Sequence, residues 1–333
     1  MSQNTIRWGI LGCGGIAELF VRSMSSVEYG QITACAARDI HKAQRFANVQ
    51  NINHAVESYE VLAKHPSVDA VYIATTHNAH YENVMLCLQA GKHVLCEKPI
   101  TVNADQAQKL YAYAKEHDLL LMEAVWTRFL PAIRALTTTL RNGDIGEVIS
   151  LNATFAISGE FTAMHRLKDP ETAGGSLLDL GIYPITMAYL VFGRAPSTIQ
   201  SSAVIGNTGV DERAFMLFEY TNDQRAILCS SFSHNLPTEA VIGGTKGFIR
   251  VPNFLGAKSF TVHMQSGETV EHEYYYEDGE NFKFEIEEFH DTLRQGLSES
   301  RLIPAAESLS VMRTMDTLRK QWNLVYPSAI ESV

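Results

Sequence analysis

Ile6-Arg7-Trp8-Gly9-Ile10-Leu11-Gly12-Cys13-Gly14-Gly15-Ile16-Ala17 decides the fold. The first six residues are mostly apolar and form a run of the length a buried strand needs. That run leads straight into Gly12, Gly14 and Ala17, spaced as G-x-G-x-x-A. Gly12 permits a tight turn, Gly14 lets the backbone approach a pyrophosphate, and the small Ala17 allows close helix–strand packing. At the helix start, the N–H groups of Gly15 and Ile16 face the anion. The glycines follow a strand and precede an amphipathic stretch from Ala17 to Met24, which is the context a dinucleotide-binding turn requires. Outside that context the same residues make an ordinary glycine turn.

The next strand spans Gln31 to Ala37. Domains that bind NAD place an acid near its end to hold the ribose 2′-OH. Here Ala36 and Ala37 occupy that region and Arg38 follows. An arginine can grip a 2′-phosphate with two bonds and stack on adenine, which points to NADP. Asp39 argues the other way, and a solvated loop charge is the plain alternative for Arg38.

A third strand, Val68 to Ala74, ends in Thr75-Thr76-His77-Asn78-Ala79-His80. Small and polar residues at such an edge suit the nicotinamide side of a cofactor, although His80 serves equally as a helix-start hydrogen bonder. Next, His93 to Cys96 run into Glu97-Lys98-Pro99. Lys98 thereby stands at the C-terminal edge of a buried strand, where open α/β sheets bind ligands. A partly desolvated lysine beside a carboxylate is poised for proton handling, whereas a surface salt bridge is the bland reading. Pro99 holds the backbone on a defined path. Leu119 to Ala124 form the last strand of this half. Helical patterns at about 40–47, 58–63, 80–90 and 103–117 separate the strands, so the sheet is expected to be parallel and doubly wound.

The pattern changes after Ala124. A crossing segment through Trp126 and Arg128 leads into a helix, and then eight alternating stretches between Glu147 and Tyr275 succeed one another on short turns. Such connections imply an α+β domain with a large, mostly antiparallel open sheet. The expected division is therefore 1–124, a dinucleotide-binding Rossmann domain, and 125–333, a substrate-binding domain. Between the first two strands of the second half, Gly174 to Phe192 has a helical pattern. In a helix Asp179 and Tyr183 are four apart and share a face. A carboxylate beside a phenol can orient it or hold a substrate hydroxyl. The phenol, with a reference pKa of ~10, needs help to act as a base, and a nearby cationic Lys98 would favour the phenolate. A buried tyrosine with a structural acceptor has the same spacing.

The 333 residues suit two domains, and 46% hydrophobic with 19% charged residues is ordinary globular composition. A net charge of −10 argues against a nucleic-acid partner. The five cysteines are odd in number and sit in apolar runs, which predicts reduced buried thiols and a cytoplasmic protein. No spacing suggests a metal site. No apolar run is seen to approach the ~20 residues of a membrane span, so no membrane partner is expected.

The glycine turn, Cys96-Glu97-Lys98-Pro99 and the Asp179–Tyr183 pair, followed by a strand-rich half, together resemble the glucose–fructose oxidoreductase/inositol dehydrogenase/MocA (Gfo/Idh/MocA) family over nearly the whole chain. Met122 to Pro131, Gly175 to Tyr183 and Gly244-Thr245-Lys246-Gly247 are similar to its dimeric dihydrodiol dehydrogenase branch, whose members oxidise trans-dihydrodiols, D-xylose or D-glucose with NADP. The resemblance implies that Lys98, Asp179 and Tyr183 are catalytic, with Tyr183 the acid/base and Asp179 fixing the substrate hydroxyl. It also implies cofactor contacts from Arg38, Thr75, His80, Glu97, Trp126 and Arg128, and a homodimer formed through the second sheet. Thr76 and His77 depart from the Thr-Pro-Asn of many members of the family, which leaves the contact of His77 open. A keto-sugar or inositol reductase of the same family is the enzymatic alternative, and a non-catalytic NADP-binding regulator is the alternative of another class.

Overall fold

A computed structural model describes residues 5–159, 161–162 and 165–332. Part of the loop from Ile157 to Lys168, expected to shape the pocket, lies outside the described residues.

Six parallel strands form the first sheet: β1 (Ile6–Leu11), β2 (Gly30–Ala36), β3 (His54–Val56), β4 (Ala70–Ile73), β5 (His93–Glu97) and β6 (Leu121–Ala124). Their order is β3-β2-β1-β4-β5-β6, so the winding direction reverses between β1 and β4. Ligands bind at such a reversal, beyond the C-terminal ends of the strands. Five helices connect these strands: α1 (Gly15–Met24), α2 (Ile40–Gln50), α3 (Tyr59–Ala63), α4 (His80–Gln89) and α5 (Ala104–Glu116). β3 has only three residues and was not anticipated, because so short a run carries no periodicity.

After α6 (Pro131–Asn142), β7 (Val148–Ala156) enters a second sheet. A wide π-turn, Leu177–Gly181, continues into α7 (Ile182–Phe192). Seven further strands come next: β8 (Thr198–Ile205), β9 (Asp211–Glu219), β10 (Arg225–Ser231), β11 (Glu239–Gly244), β12 (Gly247–Pro252), β13 (Ser259–Met264) and β14 (Thr269–Glu273). The sheet order is β14-β13-β12-β11-β7-β10-β9-β8. It is mostly antiparallel, with one exception: β7 and β10 pair in parallel. The crossover through α7 returns β8 in the direction of β7, and the hairpins β8–β9–β10 then bring β10 beside β7 in that same direction.

The segment Pro170–Phe192 has the length and mean hydropathy, 1.4, of a membrane span, contrary to the expectation of no such run. Most of it is buried inside the fold, 83% of the window, with its helical end packed against β7 and β10 of the second sheet. All five cysteines are buried and unpaired.

Helices α8 (Lys283–Arg294) and α9 (Ala305–Gln321) fold back onto the first half. Trp8, fully buried on β1, packs against Phe20 of α1 and Phe289 of α8, with ring centroids at 5.4 and 4.7 Å. Its indole N–H donates to His290 at 3.0 Å. One apolar contact therefore ties the last third of the chain to the first strand, and truncating Phe289 to alanine would cost about 3–5 kcal/mol.

Candidate active site

The dinucleotide cradle is built first. Gly12 has φ +101°, and a Cβ there would lie 2.8 Å from the Ala74 carbonyl oxygen, so only glycine allows the turn to rest against the end of β4. Its N–H donates to Ala36 O at 2.9 Å. Added Cβ atoms at Gly14 and Gly15 would meet nothing within 4 Å, which leaves open space above the turn. Gly14 caps α1 without a side-chain bond, so the N–H groups of the first turn are left for an anion. Ile16 is half-buried beside them, and Ala17 is fully buried against the sheet. Arg38 is exposed at the end of β2, while Asp39 accepts from the His41 N–H at 2.9 Å and is thereby committed to capping α2. Thr75 stands opposite Gly12, its methyl 3.1 Å from where a Cβ would be. These residues fit a dinucleotide whose phosphates lie on the turn.

At the neighbouring strand end, Glu97 is buried. Its Oε1 accepts from the Tyr72 hydroxyl at 2.5 Å and its Oε2 from the Lys98 N–H at 3.2 Å. Burial pushes the Glu97 carboxyl up, against the pull of Lys98. The Lys98 ammonium reaches across to the π-turn, donating to Asp179 O at 2.7 Å and to Asp179 Oδ1 at 3.3 Å. It lies over the Tyr183 ring, 4.9 Å from the centroid. Burial opposes the Asp179 charge, but Lys98, His77 and Arg166 outweigh it and hold the carboxyl well below its usual range. All three contact the same oxygen: His77 Nε2 at 3.5 Å and the two Arg166 terminal nitrogens at 3.2 Å each join Lys98 on Oδ1. Among the described residues Oδ2 has no hydrogen-bond partner. One carboxylate oxygen is thus locked by Lys98, Arg166 and His77 while its twin is left to accept a hydroxyl.

Several expectations need correction. Asp179 does not hold Tyr183; the Tyr183 oxygen instead accepts from the Trp126 indole N–H at 2.9 Å. The π-turn is the reason, since its wider repeat breaks the regular four-residue spacing between the two. Nor is Lys98 enough to make the phenol a phenolate. Burial, with the Glu97 and Asp179 charges, pushes the Tyr183 phenol well above its usual value, and Lys98 faces the ring rather than the oxygen. His80 is fully enclosed, with Nδ1 2.7 Å from Pro99 O and Nε2 3.2 Å from Thr75 O, so it braces two strand ends and leaves no nitrogen for a cofactor. Burial lowers its pKa to about 4, so at pH 7 the neutral ring has one N–H and donates to one of these two carbonyls, the other nitrogen only facing its neighbour. Arg128 is also committed elsewhere. Nε and one terminal nitrogen bond both oxygens of Glu307 at 2.8 and 3.0 Å, and the same terminal nitrogen bonds Leu302 O at 2.8 Å. His77, whose Nδ1 lies 3.0 Å from Ala173 O, belongs with the Asp179 cluster rather than with the glycine turn.

Sequence reasoning missed Arg166. It also missed an aromatic wall: Phe155 meets the Tyr183 ring edge-on at 5.7 Å and Phe282 stacks on Trp126 at 5.8 Å. Contacts between residues so distant in the chain leave no local pattern to find.

Residues 6–125 match the oxidoreductase family with an NAD-binding Rossmann fold, GFO_IDH_MocA, and residues 133–250 match the GFO/IDH/MocA C-terminal domain. The chain is 37% identical over 329 residues to the trans-1,2-dihydrobenzene-1,2-diol dehydrogenase of Mus musculus, covering 97% of this chain and 98% of that one. It is 36% identical to the enzyme of the same name from Xenopus laevis, covering 96% and 99%. Among solved structures, KijD10, a 3-ketoreductase from Actinomadura kijaniata in complex with NADP and TDP-benzene, superposes with a TM-score of 0.84 at 28% identity, over 95% of this chain and 98% of that chain.

Proposed function

The chain belongs to the Gfo/Idh/MocA oxidoreductase family, and from that premise we propose that it is an NADP-dependent dehydrogenase acting on a hydroxyl-bearing carbon of a trans-dihydrodiol or of an aldose such as D-xylose or D-glucose. The observation that carries this reading is the meeting of Lys98 and Asp179 beside the Tyr183 phenol, with Asp179 Oδ2 left unpartnered among the described residues. Arg38 supports NADP over NAD, as does the NADP held by KijD10. The names of the curated relatives support a diol.

A bound nicotinamide supplies the hydride chemistry. The chain's own residues orient the substrate and move one proton. Asp179 Oδ2 accepts a substrate hydroxyl, and Lys98 keeps that carboxylate ionised and in place. Tyr183, aimed by the Trp126 N–H, exchanges the proton of the reacting oxygen. Such a group contributes about 10²–10⁴-fold in rate. A phenol held neutral by its surroundings is ready to give a proton, so oxidation should quicken towards alkaline pH, where the phenol can lose it. The same neutrality favours a second reading, reduction of a keto-sugar or inosose, the direction named for KijD10.

A second copy of the chain is the proposed partner. The face of the second sheet away from α7 exposes Phe215, Ile227 and Phe248, with Ile227 60% exposed, and this supports pairing sheet to sheet.

The test is NADP⁺ reduction at alkaline pH with D-xylose, D-glucose and a trans-dihydrodiol, repeated with NAD⁺. Turnover of one substrate with NADP⁺ supports the reading. Absence of turnover in both directions contradicts it.

A further inference from the structure

Asp211, the first residue of β9, is fully buried and touches neither Lys98 nor Tyr183. Its Oδ2 accepts from the Leu177 N–H at 2.7 Å. Leu177 opens the π-turn: Asp179 lies two residues later and Tyr183 six. At Gly174 and Gly175, just before Leu177, the chain has no room for side chains, and Gly175 is the residue that faces this carboxylate. Gly175 has φ +118°, and a Cβ there would overlap Asp211 Oδ1, so no larger residue leaves room for the contact. A Cβ at Gly174 would collide with the Arg166 carbonyl oxygen at 2.5 Å. Two more bonds clamp the same turn. The Ser176 hydroxyl donates to Ser230 Oγ at 2.9 Å, and the Tyr326 hydroxyl donates to Gly174 O from the far end of the chain.

We propose that Asp211 is a positioning residue of the active site: by taking the Leu177 N–H it fixes the phase of the π-turn that delivers Asp179 to Lys98 and Tyr183 to Trp126. The physical need is specific. Within the turn Ile182 N–H reaches back five residues to Leu177 O, a wider loop than the ordinary four-residue one. Relaxation of that loop by one residue would rotate the downstream side chains by about 100°. Asp179 would leave the lysine, and Tyr183 would leave the indole. A carboxylate on the first free N–H of the turn, backed by a glycine that lets it approach, holds the wide form in place. The claim rests on Asp179 and Tyr183 being the reacting pair, so its test includes a reading that does not depend on turnover.

The full chain is compared with Asp211→Ala and Asp211→Asn in three measurements: amide hydrogen exchange of the segment 174–183, kcat and KM on the best substrate, and NADPH affinity. Asp211→Ala is expected to speed exchange at Leu177 to Asp179 and to lower kcat about 10- to 100-fold, as a misplacement of about 1 Å does. Its NADPH affinity should stay within about twofold, because the glycine turn lies on other elements. Asp211→Asn, whose amide oxygen can still accept the Leu177 N–H, should recover both exchange and kcat. Normal exchange and kcat in Asp211→Ala would overturn the proposal, as would an Asn variant as impaired as the Ala one. Should Asp211→Ala fail to fold, Gly175→Ala drives a Cβ onto Oδ1 and is read in the same way. Faster exchange in a protein that turns over no hydroxyl substrate would uphold the placement and count only against the proposed activity.

Discussion

Lys98 holds Asp179 twice, through the backbone carbonyl at 2.7 Å and the carboxylate at 3.3 Å, and so joins the corner after β5 to the π-turn before α7. The two residues lie 81 positions apart, one on each half of the chain. Because the lysine reads backbone as well as side chain, it senses where the π-turn sits. Asp179→Asn should therefore leave the turn near its place while weakening the grip of both Lys98 and Arg166. The expected result is a fall in kcat/KM of at least about tenfold, which is roughly 1.4 kcal/mol, with little change in melting temperature. A variant with unchanged kcat/KM would remove the carboxylate from substrate binding.

Cofactor choice is carried by one exposed side chain. Hydrogen bonds to a charged group are worth about 1.5–3 kcal/mol, and about 1.4 kcal/mol is tenfold in affinity. Arg38→Ala should therefore weaken NADPH about 10- to 100-fold and leave NADH affinity unaltered. Equal losses for both cofactors, measured by fluorescence titration, would contradict a 2′-phosphate contact.

Arg128 is expected to serve the fold. It bonds both oxygens of Glu307, and both side chains are largely buried. Removing one partner of such a pair costs about 3–5 kcal/mol. Arg128→Ala should lower the melting temperature by several degrees with NADPH affinity kept. A normal melting temperature with weakened cofactor binding would return Arg128 to the cofactor site.

A pH dependence of stability comes from Glu123 at the end of β6. It is buried, accepting from the Ile100 N–H at 2.8 Å and the Ser308 hydroxyl at 2.5 Å. Burial, only partly offset by those two bonds, raises its carboxyl from 4.5 to about 7. The native state therefore binds this proton more tightly than the unfolded chain. The group's contribution is most favourable below its unfolded value and is lost as pH rises through about 7. The melting temperature of Glu123→Gln, relative to wild type, should improve between about pH 5 and about pH 8. A constant difference would mean that Glu123 does not titrate in this range.

Self-association is tested at Ile227, whose cross-strand neighbour on the open face is Leu217. If two copies pair there, Ile227→Arg should elute as a monomer with its NADPH affinity retained. An unchanged dimer, or a wild type that is itself monomeric, would contradict the pairing.

How far the sequence could be read depends on how local each feature is. The glycine turn and the Glu97-Lys98-Pro99 corner hold their chemistry in contiguous residues, and the strands around them obey a period of two or form closed apolar runs. The phase of the π-turn is not local. It depends on Asp211, 34 positions beyond Leu177, and a count of four between Asp179 and Tyr183 describes a regular helix that this segment does not form. The family resemblance implies ligand contacts for Arg128 and His80. Their partners, Glu307 and the Pro99 carbonyl, lie 179 and 19 residues away, and only the folded chain brings them together. The parallel pairing of β7 with β10 escaped notice for a related reason: short turns predict hairpins, whereas this pairing comes from the long crossover through α7.

The most direct test of the central claim is single-turnover reduction of NADP⁺ by the best substrate, wild type against Tyr183→Phe, with NADP⁺ affinity measured on both. The account predicts a hydride-transfer rate at least about 100-fold slower in the variant, with affinity unchanged. Equal rates would contradict it and would leave proton transfer to Lys98.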